Sequence, residues 1–327
     1  MSDTETHGET DTSCGFIAVI GAPNAGKSTL VNTLVGTKVA IVSRKVQTTR
    51  TTLRGIAIDG RSQLVFIDTP GIFAPRRRLD RAMVEAAWGG AGDADLVLLV
   101  VDAAKGIDDD VERILAKLAT TGVIPDAGAK SRRSGTSPDQ GSHPLLLLAL
   151  NKIDRVRKQE LLALAAELNA RIPFAATFMI SALNADGVAD LRAFLVRSVP
   201  PGPWHYPADE VSDAPLRMLA AEITREKIYD RLHDELPYES AVETTLWREE
   251  GNSVRIEQTI YVERDSQKAI VVGKGAAMIR QLSMEARKEL AELLQRPVHL
   301  FLFVKVRGGW GDDPARYRAL GLTFPKQ

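Results

Sequence analysis

Between Phe16 and about Pro200, unbroken apolar runs alternate with stretches whose apolar residues recur every three or four positions. This is the pattern of buried strands separated by amphipathic helices. FIAVI, QLVFID, ADLVLLVVD, PLLLLALN and ATFMIS are the predicted strands, and helices are expected to begin near Lys27, Arg81, Asp109, Lys158 and Val188. Such alternation implies an α/β domain, a mostly parallel sheet with helices on both faces. One strand should run against the others, because Asp59-Gly60 marks a tight turn inside TTLRGIAIDGRSQLVFID.

The periodicity then breaks at SVPPGPWHYPADEVSD, whose four prolines mark a linker over 200–214. Beyond this linker the chain takes another order: a long helix around PLRMLAAEITREKIYDRLHDEL, strands near AVETTLW and RIEQTIYVER, two helices, and a strand at VHLFLFVKV. The domain limits expected are 15–199 for the α/β unit and 215–307 for this α+β unit, with a C-terminal tail over 308–327. Residues 1–14 read as a disordered acidic tail, and 125–144, rich in Gly, Ser, Pro and charge, as a surface insertion ahead of a strand.

Composition narrows the function classes. The 42 Lys and Arg balance 42 Asp and Glu, so a polyanion partner must be held by a local patch and not by the field of the whole molecule. Cys14 is the single cysteine, which excludes an internal disulfide and suits a reducing cytoplasm; the thiol is expected to be inert. The apolar runs fall well short of the roughly 20 residues of a membrane-spanning helix, and the polar N-terminus carries no signal-peptide pattern. A cytoplasmic monomer is expected. The five histidines show no metal-ligand spacing.

GAPNAGKST, Gly21 to Thr29, directly follows the strand FIAVI. Gly21 and Gly26 bracket four residues ahead of Lys27 and Ser28, the spacing of a phosphate-binding loop. Glycines let backbone N–H groups curl around a β-phosphate at a helix N-terminus. Lys27 would neutralise β and γ oxygens, and the Ser28 hydroxyl would ligate Mg2+. NKID, Asn151 to Asp154, ends a later strand and selects the base. Guanine offers two donors, N1–H and the N2 amine, that the Asp154 carboxylate accepts together; adenine has an acceptor at N1. Asn151 would contact the base edge or brace the loops, and Lys152 would lay its stem across the ring. In SAL, Ser181 to Leu183, the Ala182 N–H could donate to guanine O6, although such a tripeptide is also an ordinary strand end.

DTPG, Asp68 to Gly71, ends the strand QLVFID. Asp68 would hold Mg2+ through water, and the Gly71 N–H would bond the γ-phosphate. A threonine of QTTR completes the Mg2+ shell when the γ-phosphate is present; Thr49 is preferred over Thr48. Such a contact makes a segment that orders with GTP and loosens on hydrolysis. The nucleotide contacts are therefore expected from Gly21, Ala22, Pro23, Asn24, Ala25, Gly26, Lys27, Ser28, Thr29, Asp68, Thr69, Pro70, Gly71, Ile72, Asn151, Lys152, Ile153, Asp154, Ser181, Ala182 and Leu183. Asn24, Lys27, Thr49 and Gly71 serve hydrolysis, and Ser28, Thr49 and Asp68 hold Mg2+. One position is discordant. Ile72 stands where a glutamine often orients the attacking water, and its side chain has no hydrogen-bonding atom.

With GAPNAGKST, QTTR, DTPG, NKID and SAL, then YDRLHDELPYESAVE, GKGAAMIR, EARKELAELL and VKVRGGWGDD, the chain resembles the Era family of GTPases. The resemblance implies a phosphate-loop GTPase domain followed by a type II KH domain, whose Gly-x-x-Gly loop lies against a nucleic-acid backbone. It also implies that Asn24 helps bind K+ in place of an arginine finger, with switch-loop backbone positioning the water; a loop-bracing amide is the alternative, and Arg50 could supply the charge in cis. The implied partners are GTP and GDP, the small ribosomal subunit, and single-stranded RNA near the 3′ end of its rRNA during assembly, with peripheral association at the inner membrane.

In the second domain, Gly273, Lys274, Gly275, Ala276 and Arg280 are the candidate RNA contacts. Ala276 departs from the pattern, which has glycine there, but is expected to begin the next helix without strain; Ser283 also replaces a common glycine. From Arg264 to Arg307 nine basic residues face four acidic ones, a net of +5, whereas 215–307 as a whole is neutral. Ile270, Val271 and Ile279 would floor the groove or fill the core, with core favoured. Trp310 and Tyr317 are expected to pack on the KH fold, with RNA contact secondary. The competing reading is a GTPase adaptor whose C-terminal domain docks a protein or membrane. A GTPase of RNA modification would need further catalytic motifs, and the sequence has none.

Overall fold

The computed structural model describes residues 12–42, 49, 52–75, 77–120, 144–232, 236–237, 239–309, 314, 317 and 322–324. Most of the 125–144 insertion, together with Thr48, Arg50 and Trp310, lies outside the described residues.

The first domain is a six-stranded sheet ordered β2-β3-β1-β4-β5-β6. Its strands are β1 (Ser13–Ile20), β2 (Leu53–Asp59), β3 (Ser62–Asp68), β4 (Leu96–Asp102), β5 (Leu145–Asn151) and β6 (Ala176–Ile180). Every neighbouring pair is parallel except β2 with β3, which reverse at Gly60 as the Asp-Gly pair predicts. Because side chains alternate across a strand, β4 sends Val97, Leu99 and Val101 into one core and Leu96, Leu98 and Val100 into the other. Helices α2 (Arg78–Gly92), α3 (Asp109–Thr120) and α4 (Lys158–Arg171) cover the first face; α1 (Lys27–Val35) and α5 (Val188–Ser198) cover the second. The helix α2 starts three residues earlier than its apolar spacing indicates, since the Arg77 N–H is capped by Asp80 Oδ2 at 2.9 Å.

β1 begins at Ser13, inside the segment expected to be tail. Ser13 and Ser62 pair in register with their hydroxyls 2.7 Å apart, and Cys14 is buried, which raises its thiol pKa. The proline-rich connection is likewise held against the sheet. The fully buried Gln63 donates to Tyr206 O at 2.8 Å and accepts from the His205 and Tyr206 N–H groups, and Arg54 pairs with Asp213 at 2.9 Å. The connection is a strap pinned to the sheet.

The second domain runs α6 (Leu216–Arg231), β7 (Ala241–Glu250), β8 (Ser253–Val262), α7 (Asp265–Val272), α8 (Ala277–Leu294) and β9 (Val298–Val306). Its sheet pairs β7 with β8 antiparallel and β8 with β9 parallel, and the helices pack on one face over Val254, Ile256, Ile260 and Val262. No helix among the described residues is long and apolar enough to cross a membrane.

Among the described tail residues, Tyr317 packs against the first domain, whereas the expectation placed it on the KH fold. Tyr317, 1% exposed, and Leu322 bury themselves against Ala82 and Met83 of α2 in the first domain. Phe324 meets the Tyr317 ring edge-on at 4.8 Å, with the Arg78 guanidinium 5.0 Å from its centroid. The reason is apolar complementarity: α2 presents Leu79, Ala82, Met83 and Ala86 on one stripe. Replacing Tyr317 with Ala should cost this seat about 3 kcal/mol. Hydrogen exchange at the Leu322 amide, which donates to Tyr317 O at 2.8 Å, would report it; unchanged protection would show that the tail is held elsewhere.

Candidate functional site

The candidate residues converge at the C-terminal ends of β1, β3, β4, β5 and β6, where ligands gather in open α/β sheets. The loop after β1 turns tightly into α1. Gly26 has φ 97°, and a β-carbon there would lie 2.2 Å from Asn151 Nδ2, so a larger residue would displace the loop from the base-selecting strand. Lys27 is buried, and its ammonium donates to Gly21 O and Ala22 O at 3.0 Å each. Burial lowers its pKa to about 8, against the opposing attraction of Asp68.

Beside it, three oxygens cluster. Ser28 Oγ donates to Asp68 Oδ2 at 2.7 Å and lies 2.9 Å from Thr49 Oγ1, which reaches the same carboxylate oxygen at 3.3 Å. Asp68 is fully buried, and its Oδ1 has no hydrogen-bond partner among the described residues. Burial raises this carboxyl to about 6, more than Ser28, Lys27 and Thr49 lower it. Two hydroxyls and a desolvated carboxylate with a spare oxygen are hard donors suited to Mg2+. The geometry thus places Thr49 with Ser28 and Asp68.

Ile72 lies on this side of the pocket. Its side chain, 3% exposed, belongs to the core cluster that also holds Ala22 and Ala103, and its N–H donates to Gly21 O at 3.1 Å. Thr69 is committed similarly, donating from its hydroxyl to Val19 O at 2.8 Å. Both side chains are buried beside the pocket.

On the base side the structure resolves the Asn151 alternatives toward bracing. Its Nδ2 donates to Ala25 O at 2.8 Å, and its Oδ1 accepts from the Ala182 N–H at 2.9 Å, tying three loops together. The Ala182 amide, expected at guanine O6, is therefore engaged by Asn151. Ser181 Oγ donates to Asp154 Oδ1 at 2.7 Å, and this bond leads in lowering the Asp154 pKa. A carboxylate so oriented and kept ionised suits two guanine donors. Leu183 is 75% exposed. Lys152 stretches over the loop, donating to Asn24 O at 2.7 Å and to Asp102 Oδ2 at 2.6 Å. Asp102 was missed by sequence reasoning; its signal is an acidic residue closing the otherwise apolar strand LVLLVVD.

In the second domain, the loop from Gly273 to Ala276 joins α7 to α8. Gly273 has φ 72°, and a β-carbon would meet Met278 Cβ at 2.8 Å. Lys274 and Arg280 are exposed. Ala276 does not begin the helix: it adopts φ 61°, ψ 25° ahead of Ala277, a left-handed conformation that costs an L-residue about 1–2 kcal/mol. The glycine preference there is thus conformational as well as steric. Ser283 donates to Leu300 O at 3.3 Å, fastening α8 to β9. Of the three apolar candidates, Val271 is core, Ile279 is half-buried, and Ile270 is 55% exposed beside the loop.

Comparison with known proteins agrees with both halves. A family model described as 50S ribosome-binding GTPase matches residues 16–125, and a KH domain model matches 235–311. GTPase Era of Bradyrhizobium sp. (strain ORS 278) is 57% identical over 328 residues, covering 100% of both chains. GTPase Era of Rhizobium meliloti (strain 1021) is 56% identical, covering 100% of this chain and 99% of the relative. Among solved structures, an Aquifex aeolicus Era variant bound to GDP·AlF4− has a TM-score of 0.84 at 33% identity, over 95% of this chain and 99% of that one. Era in complex with MgGDPNP and nucleotides 1506–1542 of 16S ribosomal RNA has a TM-score of 0.83 at 33% identity, with the same coverage.

The buried carboxyl carries a linkage prediction. In the folded state its value lies near 6, above the ordinary 3.8, so the folded chain holds a proton that the unfolded chain has released, and stability falls as pH rises between these values. Asp68→Asn removes that slope. In nucleotide-free, chelator-treated protein it should be more stable than the parent above pH 6 by about 1–3 kcal/mol, and the gap should close toward pH 3.8. Urea denaturation across this range checks the sign.

Proposed function

The chain belongs to the Era family of GTPases, and from that premise we propose that it is a GTP-dependent switch which grips single-stranded ribosomal RNA with its second domain. The hydrolysis of GTP to GDP and phosphate follows from the family. The observation that carries the site assignment is the cluster of Ser28, Thr49 and the partly unpaired Asp68 beside Lys27.

In this reading Lys27 meets β and γ oxygens, and their charge offsets the burial that weakens its hold on a proton. Ser28, Thr49 and Asp68 would hold Mg2+, which supplies charge neutralisation at the β- and γ-phosphates when bound. The Gly71 N–H would bond the γ-phosphate, and Thr49, which lies beside Ser28 and Asp68, would distinguish GTP from GDP by completing the Mg2+ shell when that phosphate is present. Asp154, oriented by Ser181, selects guanine. Ile72, committed to the core, leaves water positioning to backbone and to the groups around the cluster. Asn24, held at φ 62° with its carbonyl accepting from Lys152, is the proposed K+ residue.

For RNA, the second domain offers Gly273 to Ala276 as the backbone clamp, with Lys274 and Arg280 as exposed cations and Ile270 as an apolar shelf. The Era relative crystallised with nucleotides 1506–1542 of 16S rRNA supports the small-subunit 3′ end as the ligand class and disfavours a protein-docking adaptor.

Two measurements test this. Filter binding of the full chain to single-stranded RNA from that region should show a steep salt dependence, and Arg280→Ala should lower the log–log slope by about one and weaken binding across sequences alike. Salt-independent binding, or none, would return the adaptor reading. Hydrolysis in equimolar KCl and NaCl should be faster in potassium; equal rates would remove Asn24 from that role.

A further inference from the structure

One buried carboxylate of the second domain reaches into the first and belongs to none of the nucleotide or RNA motifs. Glu226 lies on α6 and is 3% exposed. Its Oε1 accepts the Val42 N–H at 2.7 Å. Its Oε2 accepts Lys38 Nζ at 2.6 Å and Lys227 Nζ at 3.0 Å. Both lysines also pair with Glu289 of α8. Two carboxylates and two ammonium groups thus alternate, which offsets the desolvation that an isolated buried charge would suffer.

Lys38 and Val42 belong to the segment that leaves α1 and leads toward Thr49. On its other side this segment is fastened to α1: Asn32 Oδ1 accepts from the Val39 and Ala40 N–H groups at 2.9 Å each, and Asn32 Nδ2 donates to Ala40 O at 2.8 Å. It is clamped between α1, whose first residues are Lys27 and Ser28, and α6 of the neighbouring domain. The base-side residues Asn151, Asp154 and Ser181 take their hydrogen bonds elsewhere.

We propose that Glu226 is a positioning residue for GTP hydrolysis, acting from the second domain by fixing the stretch from Lys38 to Val42 and hence the point from which the chain reaches Thr49. The inference rests on the reading of Thr49 as the residue that answers to the γ-phosphate. A shift of α6 then changes turnover while leaving guanine recognition alone.

The test uses full-length Glu226→Ala, Glu226→Gln and Lys38→Met, with Thr49→Ala as the control. In Glu226→Ala, kcat should fall about tenfold and the preference for a non-hydrolysable GTP analogue over GDP should shrink in parallel, with GDP affinity within about twofold of the parent. Glu226→Gln, which keeps an acceptor for the Val42 N–H, should recover part of the loss. Lys38→Met, altering a side chain that is 30% exposed, should fall between and decides the matter if Glu226→Ala does not fold. Unchanged kcat in the Glu226 and Lys38 variants overturns the proposal. So does an equal loss of GTP-analogue and GDP affinity with a lowered melting temperature, the mark of a merely structural contact. If Thr49→Ala abolishes turnover while the others leave it intact, Glu226 alone is rejected; if Thr49→Ala has no effect, the reading of Thr49 falls with it.

Discussion

Burial of Lys27 and Asp68 next to one another is the constraint around which the first domain is arranged. Both side chains are removed from water at the ends of a central sheet, and desolvation moves each toward its neutral form: the ammonium down to about 8, the carboxyl up to about 6. Such buried charges are a weak source of stability in a free protein. The surrounding hydroxyls and carbonyls blunt the penalty without removing it, since one carboxylate oxygen has no partner among the described residues. Metal charge beside Asp68 and phosphate charge beside Lys27 would each favour the ionised side chain. Free energy withheld from folding is thereby available for binding.

Much of this was legible in the chain because phosphate binding is a backbone property with a residue signature. Glycines at fixed offsets, a lysine and a hydroxyl after them, and carboxylates at strand ends can each be read off a linear pattern, and the antiparallel strand was marked by one Asp-Gly turn between hydrophobic runs. Side-chain direction was less legible. Asn151 braces Ala25 and Ala182, and Ile72 turns inward, because of neighbours far away in sequence. Asp102 emerges only when β4 and β5 lie side by side, bringing it opposite Asn151 and within reach of Lys152.

The second domain shows the same division. Its helix and strand order was readable, and so was the positive charge between Arg264 and Arg307. The conformation of Ala276 was not, because a methyl group is tolerated at most helix starts and the left-handed backbone is imposed by the turn from Gly273. Neither the linker's attachment to Gln63 nor the tail's seat on α2 has a local signature. Both arise from surfaces that are assembled only when distant parts of the chain have folded.

The seat of Tyr317 on α2 makes the molecule a closed circuit: the chain leaves the first domain through the pinned segment near Tyr206 and comes back to it beyond Arg307. Ten residue steps separate Arg307 from Tyr317, which bounds the return path at roughly 33–36 Å even at full stretch. While that anchor holds, the covalent leash bounds how far the end of β9 can stand from α2. Any separation beyond that bound requires Tyr317 to leave its hydrophobic berth.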